Sequence, residues 1–424
     1  MSQSNPGMTG TERPLRQRGW LALLSGYMLV LIVLGLAIES PSAIWRGLLD
    51  IWASPGLLLS DYLVIGGVGA ALVNAGVVGL SGLLLSYANG VLLSGPTVAA
   101  VFTMAGFGLF GKNVWSIWPV ILGVVLFSRV VRRPFKSYII VALFGTALAP
   151  LVTTIAYSLG WGVPAGILFG LAAGFVLPPL AVYMLRLHQG LNIYNVGLTC
   201  GFLGLFVVSL LEGAGSKIVL AGLWSEQHSD MMSLFLLLYA LSMLAVGTFL
   251  TRRWTDLRDL VREEGTLPTD FVESYGAGIT WINMGLVGLI GWLYIWLVGG
   301  VFNGPTVGGV LTMIGFAAFG KHILNVLPLM LGVYLGSRLM IWQPNQPGPL
   351  LAALFSTTLA PISGRFGPLV GIIAGVLHLT LVMRTASWHG GLNLYNNGFA
   401  GGLTATLLVG IITWWTNWKE ERKR

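Results

Sequence analysis

The sequence predicts an all-α integral membrane protein of two inverted-topology repeats, each of about seven hydrophobic segments, with short or broken helices in each repeat. Three observations predict it: an apolar composition, a chain that repeats itself residue by residue, and equivalent loops with opposite shares of basic residues.

Composition comes first. Hydrophobic residues make up 55% of the 424 and charged residues 9%, with a mean hydropathy of +0.82. Soluble domains carry about a quarter charged residues, so the lipid bilayer is the partner this chain is built for. The net charge of +8 raises nucleic acid as a partner. Its placement in short loops between apolar stretches, rather than on one face, reads as a topology signal and excludes that role. The single cysteine, Cys200, lies in an apolar run, which rules out an intramolecular disulfide or a cysteine metal cluster and reads as packing. The apolar run from Trp20 lacks a small-residue cleavage site and is read as a retained first span.

The duplication comes second. Shifting the chain by 209 residues aligns Asp61 with Asp270, Asn74 with Asn283 and Arg129 with Arg338, without a gap. From Gly95 to Lys112 against Gly304 to Lys321, twelve of eighteen positions are identical, including Gly-Pro-Thr-Val, Thr-Met and Phe-Gly-Lys. Ala142 to Pro150 (ALFGTALAP) returns as Ala353 to Pro361 (ALFSTTLAP), and Leu191 to Asn195 returns as Leu392 to Asn396. Chance enrichment in Gly, Ala, Leu and Val does not keep Lys, Arg, Pro, Asn and Tyr in register.

The apolar segments fall at about 20–38, 62–92, 96–111, 115–131, 138–157, 164–186 and 191–211, then 231–250, 276–300, 305–320, 325–341, 349–363, 366–385 and 392–415. Those starting at Pro96 and Pro305 are short for a bilayer needing about 20 helical residues, and are read as half-helices, re-entrant or broken. The expected organisation is a tail (1–19), a first repeat (20–211), an external linker (212–230), a second repeat (231–415) containing an amphipathic cytoplasmic loop (251–270), and a basic tail (416–424).

Charge placement comes third. With a cytoplasmic N-terminus and fourteen crossings, eighteen basic residues fall inside and five outside: Arg46, Lys112, Lys217, Arg338 and Arg384. Arg129 to Lys136 holds four basic residues whereas Arg338 to Pro349 holds one, so equivalent loops face opposite sides. Both termini are expected on the cytoplasmic side of a bacterial inner membrane. Trp414, Trp415 and Trp418 read as an interfacial belt.

Inverted repeats commonly bind solute near the midplane between broken helices. The candidate pathway residues are therefore repeated polar ones in apolar surroundings: Thr97 and Thr306 in the Gly-Pro-Thr starts, preceded by Ser94 and Asn303 as N-caps; Thr103 and Thr312; Asn192, Tyr194 and Asn195 with Asn393, Tyr395 and Asn396; and Asn74 with Asn283. A helix start offers unpaired N–H donors to an anion or a carbonyl oxygen, although a capped helix at the lipid interface reads equally well. Asn74 and Asn283 face a cavity or bond helix to helix. Lys112 and Lys321, with His188 and His389, are candidates for a pore mouth; snorkelling to the headgroups is the stronger reading of the lysines.

All fifteen acidic residues fall in loops or at segment ends, which argues against a proton pump or cation antiporter; backbone carbonyls remain able to bind sodium. No metal spacing, nucleophile motif or cofactor fingerprint is present, so neither an enzyme nor a cofactor is expected.

The segments FTMAGFGLFGKN (Phe102 to Asn113) and GGLNLYNNGFAGG (Gly390 to Gly402) resemble a bacterial family of duplicated multi-spanning membrane proteins with no assigned activity. The Gly-Tyr-Asn pattern in Gln189 to Gly197 and Gly390 to Gly398 is similar to the motif repeated in urea transporters. That second resemblance implies Asn195 and Asn396 near a pore and a trimer with one pathway per protomer; a homo-oligomer is otherwise left open. The leading expectation is a channel or facilitator for a small polar solute, neutral such as urea or an amide, or a small anion. A secondary transporter working by alternating access, and a membrane assembly factor, are the alternatives.

Overall fold

The computed structural model describes residues 17–220 and 222–422. Arg13 and Arg16 of the N-terminal tail, with Lys423 and Arg424 at the other end, lie outside the described residues. The first repeat comprises α1 (Gln17–Ile38), α2 (Pro41–Ala53), α3 (Tyr62–Gly66), α4 (Val68–Ala88), α5 (Gly95–Phe107), α6 (Ile117–Val130), α7 (Ile139–Gly145), α8 (Ala149–Thr153), α9 (Val163–His188) and α10 (Asn195–Gly213). The second comprises α11 (Ser229–Leu250), α12 (Thr255–Leu260), α13 (Phe271–Leu297), α14 (Gly304–Phe316), α15 (Ile323–Leu339), α16 (Pro347–Ser356), α17 (Ala360–Phe366), α18 (Pro368–Trp388) and α19 (Asn396–Glu421).

The match between repeats extends to irregularities. Gly67 (φ 84°) separates α3 from α4, and Gly276 (φ 74°) kinks α13 at the equivalent position. Short 3-10 turns at Thr146–Leu148 and Thr357–Leu359 interrupt equivalent helices before Pro150 and Pro361, whose rings and missing N–H forbid a continuous α-helix. Among the described residues nine helices are long and apolar enough to span a bilayer, so the protein is a multi-pass membrane protein in contact with lipid. The outer surface agrees: α1 leaves Leu29, Val30, Val33 and Leu36 exposed, as a lipid-facing stripe requires.

The expected short segments are α5 and α14, thirteen residues or ~20 Å each. They form the buried axis of the molecule and pack antiparallel. Gly106 meets Gly308 and Ala99 meets Gly315, contacts that exchange under the 209-residue shift. A two-fold axis perpendicular to both helices therefore relates the repeats, which is the inverted arrangement. The outermost helices obey it too: Tyr27 of α1 and Tyr239 of α11, which hold the same place in their helices, meet edge to face at 5.1 Å.

The snorkelling reading of the lysines needs correcting. Lys112 and Lys321 are fully buried and do not reach the headgroups, because positive-φ glycines before them turn the chain inward. Removing both from the charge count takes one from each side and leaves the bias intact. Within the loop at 251–270, Leu260 is buried and the Glu263 carbonyl lies 2.9 Å from His322 Nε2 beside α15. A reporter fused after Arg133 is expected on the cytoplasmic side and one after Trp342 on the opposite side; both on one side would overturn the inverted topology.

Candidate functional site

Both buried helices end in the same way. After α5 the chain runs through Gly111 (φ 76°), and the Lys112 N–H returns to the Phe107 carbonyl at 3.2 Å; after α14, Gly320 (φ 98°) and the Lys321 N–H bond to Phe316 O at 3.3 Å do likewise. This is the Schellman closure that a left-handed residue allows. Asn74 Nδ2 then donates to the carbonyls of Gly108 (2.7 Å) and Lys112 (3.0 Å), and Asn283 Nδ2 to those of Ala317 (2.8 Å) and Lys321 (2.7 Å). Each amide satisfies carbonyls left open at a helix end inside the molecule. Of the two readings of Asn74 and Asn283, the helix-to-helix strap is the one observed.

The lysines so aimed reach the interrupted helices. Lys112 Nζ donates to Thr146 Oγ1 and Lys321 Nζ to Thr357 Oγ1, both at 2.7 Å. Each threonine hydroxyl donates onward, to Leu143 O and Leu354 O, so its lone pairs are free for the ammonium. Lys321 Nζ also donates to the Tyr194 hydroxyl. Neither lysine has a carboxylate partner among the described residues. Burying an ammonium costs several kcal/mol unless it is compensated. Part of that compensation is aromatic: Lys112 lies 5.1 Å from the Phe107 ring centre, and Lys321 lies 4.5 Å from Tyr194 and 5.2 Å from Phe316. The rings form one symmetric cluster, with Phe107–Tyr395 at 4.7 Å, Phe316–Tyr194 at 4.4 Å and Tyr194–Tyr395 at 5.1 Å.

The two-fold breaks at this polar centre. Thr312 donates to Gly308 O at 2.9 Å, and Tyr194 is bonded to Lys321. Their equivalents, the Thr103 and Tyr395 hydroxyls, lie beside each other and are buried without a well-formed hydrogen bond.

The repeated asparagine turns join the halves. Asn192 Nδ2 donates to Gly398 O and Asn393 Nδ2 to Gly197 O, both at 3.3 Å. The Ile193 N–H bonds to Thr358 O and the Leu394 N–H to Ala147 O, both at 3.0 Å, so each turn enters the helix break of the opposite repeat. Asn195 and Asn396 donate to carbonyls of α9 and α18, at Ala181 (3.0 Å) and Val382 (3.2 Å). Their Oδ1 atoms pair with His188 Nε2 (2.9 Å) and His389 Nε2 (3.0 Å), and both histidines are buried rather than at an entrance.

At the helix starts, Thr97 and Thr306 hydroxyls donate to Leu92 O (3.0 Å) and Val301 O (2.8 Å). Asn303 caps α14 as expected, but Ser94 makes no side-chain cap on α5. Aspartates from the opposite repeats take that role: Asp270 oxygens accept from Gly95 N at 3.0 and 3.1 Å, and Asp61 Oδ1 accepts from Gly304 N at 3.2 Å.

The structure thus brings Thr103, Lys112, Lys321, Tyr194 and Tyr395 into one centre. The asparagines, histidines, Thr97 and Thr306 fasten the backbone around it. Thr146, Thr357, Asp61 and Asp270 were not singled out from the sequence, although the repeated Ala-Leu-Phe…Ala-Pro stretches and the Asp61–Asp270 match carried the signal. No group of three or more metal-ligating side chains occurs among the described residues.

Two segments, residues 40–213 and 250–414, match one family model, described as a protein of unknown function (DUF1576). No curated protein and no solved structure matches the chain, so the similarity to urea transporters gains no support.

Proposed function

We propose that this chain, which belongs to the DUF1576 family, carries a small polar solute across the membrane by alternating access, binding it at the two-fold centre between the helix breaks. The observation that carries this reading is the pair of buried lysines bonded to Thr146 and Thr357 at the breaks of symmetry-related helices, each break being entered by a turn of the opposite repeat. Membrane proteins rarely keep ionisable groups at such depth without using them. Inverted repeats provide two equivalent half-sites, and exchanging their conformations opens the centre to opposite faces.

Burial of every member of the centre favours alternating access over the passive channel expected from the sequence, since a conducting pore keeps a wetted path along its lining. The reading is one of transport, not catalysis. The basic-residue bias supports cytoplasmic termini in a bacterial inner membrane.

Counterflow in proteoliposomes tests it, with a panel of urea, formamide, glycerol and small monocarboxylates. Preloading with the transported solute is expected to accelerate entry of its labelled form, and Lys321→Met is expected to slow that entry by about tenfold or more, the loss of one buried charged hydrogen bond. Flux proportional to the gradient without acceleration would make the protein a channel. No flux with any solute would overturn transport.

A further inference from the structure

We propose that the centre takes a small monovalent oxyanion of the carboxylate class, held by Lys112, Thr103 and Tyr395; this rests on the transport reading and names its substrate class. The inference starts from where the two-fold fails. In the second half the lysine, the tyrosine and the threonine all have partners: Lys321 donates to Thr357 and to the Tyr194 hydroxyl, and Thr312 donates to Gly308 O. In the first half Lys112 donates to Thr146 alone, and the Thr103 and Tyr395 hydroxyls have no well-formed hydrogen bond. Buried donors without partners are costly, and natural proteins keep them where something else completes them.

These donors are gathered about one ring. Lys112 Nζ and the Tyr395 ring both pack on Phe107, and Thr103 precedes Phe107 by one helical turn on α5. The Thr103 side chain lies beside the Tyr395 hydroxyl, and all three side chains are buried.

Chemistry then narrows the ligand. The ammonium only donates, and the two hydroxyls are free to donate beside it, so the set suits an acceptor-rich ligand better than urea or an amide, whose N–H groups the ammonium cannot accept. In this half-site the ammonium of Lys112 is matched by one negative charge, whereas Lys321 across the two-fold is already bonded to Thr357 and Tyr194. Donors on three different side chains suit two or three oxygens on a planar head better than a single spherical ion. The surrounding rings of Phe107, Phe144 and Phe355 offer an apolar wall for a short hydrocarbon body.

The test is the thermal midpoint of the purified protein in detergent, titrated at constant ionic strength with sodium pyruvate, sodium nitrate, sodium chloride and urea. Pyruvate and nitrate are expected to raise the midpoint saturably, chloride less, and urea not at all. Lys112→Met is expected to abolish the response. Tyr395→Phe and Thr103→Val, which keep the side-chain shapes, are each expected to weaken apparent affinity about tenfold, and they decide the matter if the lysine variant does not fold. A urea response equal to that of pyruvate, a chloride response equal to it, or variants that respond like the parent would each overturn the assignment. Pyruvate counterflow in proteoliposomes separates the two readings. Saturable pyruvate stabilisation without counterflow of any solute upholds the anion site and overturns transport, whereas urea counterflow without pyruvate stabilisation does the opposite.

Discussion

Alanine at Gly308 is expected to destabilise the protein by about 1–3 kcal/mol, and leucine there to abolish the folded state, because overpacking at a close helix crossing has nowhere to relax. A Cβ on Gly308 would stand 2.3 Å from the Gly106 carbonyl oxygen and 2.7 Å from the Phe110 ring. The backbone oxygen cannot rotate away, so α5 and α14 would have to separate. These helices run into the lysine turns and are held at their ends by the capping aspartates and strapping asparagines of neighbouring segments, so separation disturbs the contacts of the centre together. Close approach through small residues is how helices associate where no hydrophobic force acts between them. Thermal unfolding followed by size-exclusion chromatography measures the effect. Gly26→Ala, at a position where nothing lies within 4 Å of the added Cβ, is the control and is expected to be neutral. A Gly308→Ala protein as stable as that control would refute the tight crossing.

The second large effect is expected from Asp61. Its carboxylate accepts from Leu63 N at 3.0 Å and Ser225 N at 3.1 Å as well as from Gly304 N, and thereby ties the start of α3, the inter-repeat linker and the start of α14 to one buried group. Asp61→Ala leaves three backbone donors without that acceptor. Each such loss costs about 1–3 kcal/mol when buried, although the three do not add fully. A loss of about 3 kcal/mol is therefore expected, seen as lower folded yield and a lower thermal midpoint. Asp61→Asn, which retains one acceptor oxygen, is expected to recover part of it. Asp270→Ala is expected to cost less, since Asp270 is only partly buried and serves Gly95 and Glu273. Equal stability of Asp61→Ala and the parent, or a larger loss at Asp270, would contradict the cross-capping arrangement.

Much of this architecture was legible in the chain. The repeat register located equivalent features to the residue: Gly67 and Gly276, Asn74 and Asn283, Lys112 and Lys321 all fall where the 209-residue shift puts them. The short Gly-Pro-Thr segments announced helices too brief to cross alone, and α5 and α14 are such helices. What did not follow was the direction in which polar side chains point. Lysine after Phe-Gly reads more strongly as a snorkelling group than as a pore-mouth one, and its burial is decided by a single left-handed glycine and by the helix break that presents Thr146 or Thr357. The asparagine turns read as pathway lining, yet Asn192 and Asn393 donate to the other repeat's backbone, and Asn195 and Asn396 are bonded to helices and histidines of their own repeat.

Hydropathy, duplication and charge asymmetry were determined by the sequence itself, because each is a sum or a comparison along the chain and needs no knowledge of which segments touch. The cross-capping aspartates, the reciprocal insertion of turns into helix breaks, and the unequal bonding of two nearly identical half-sites were decided only by the tertiary structure. Each depends on which groups from distant segments compete for the same few buried hydrogen-bond partners, and that competition exists only once the two repeats have packed around their common axis.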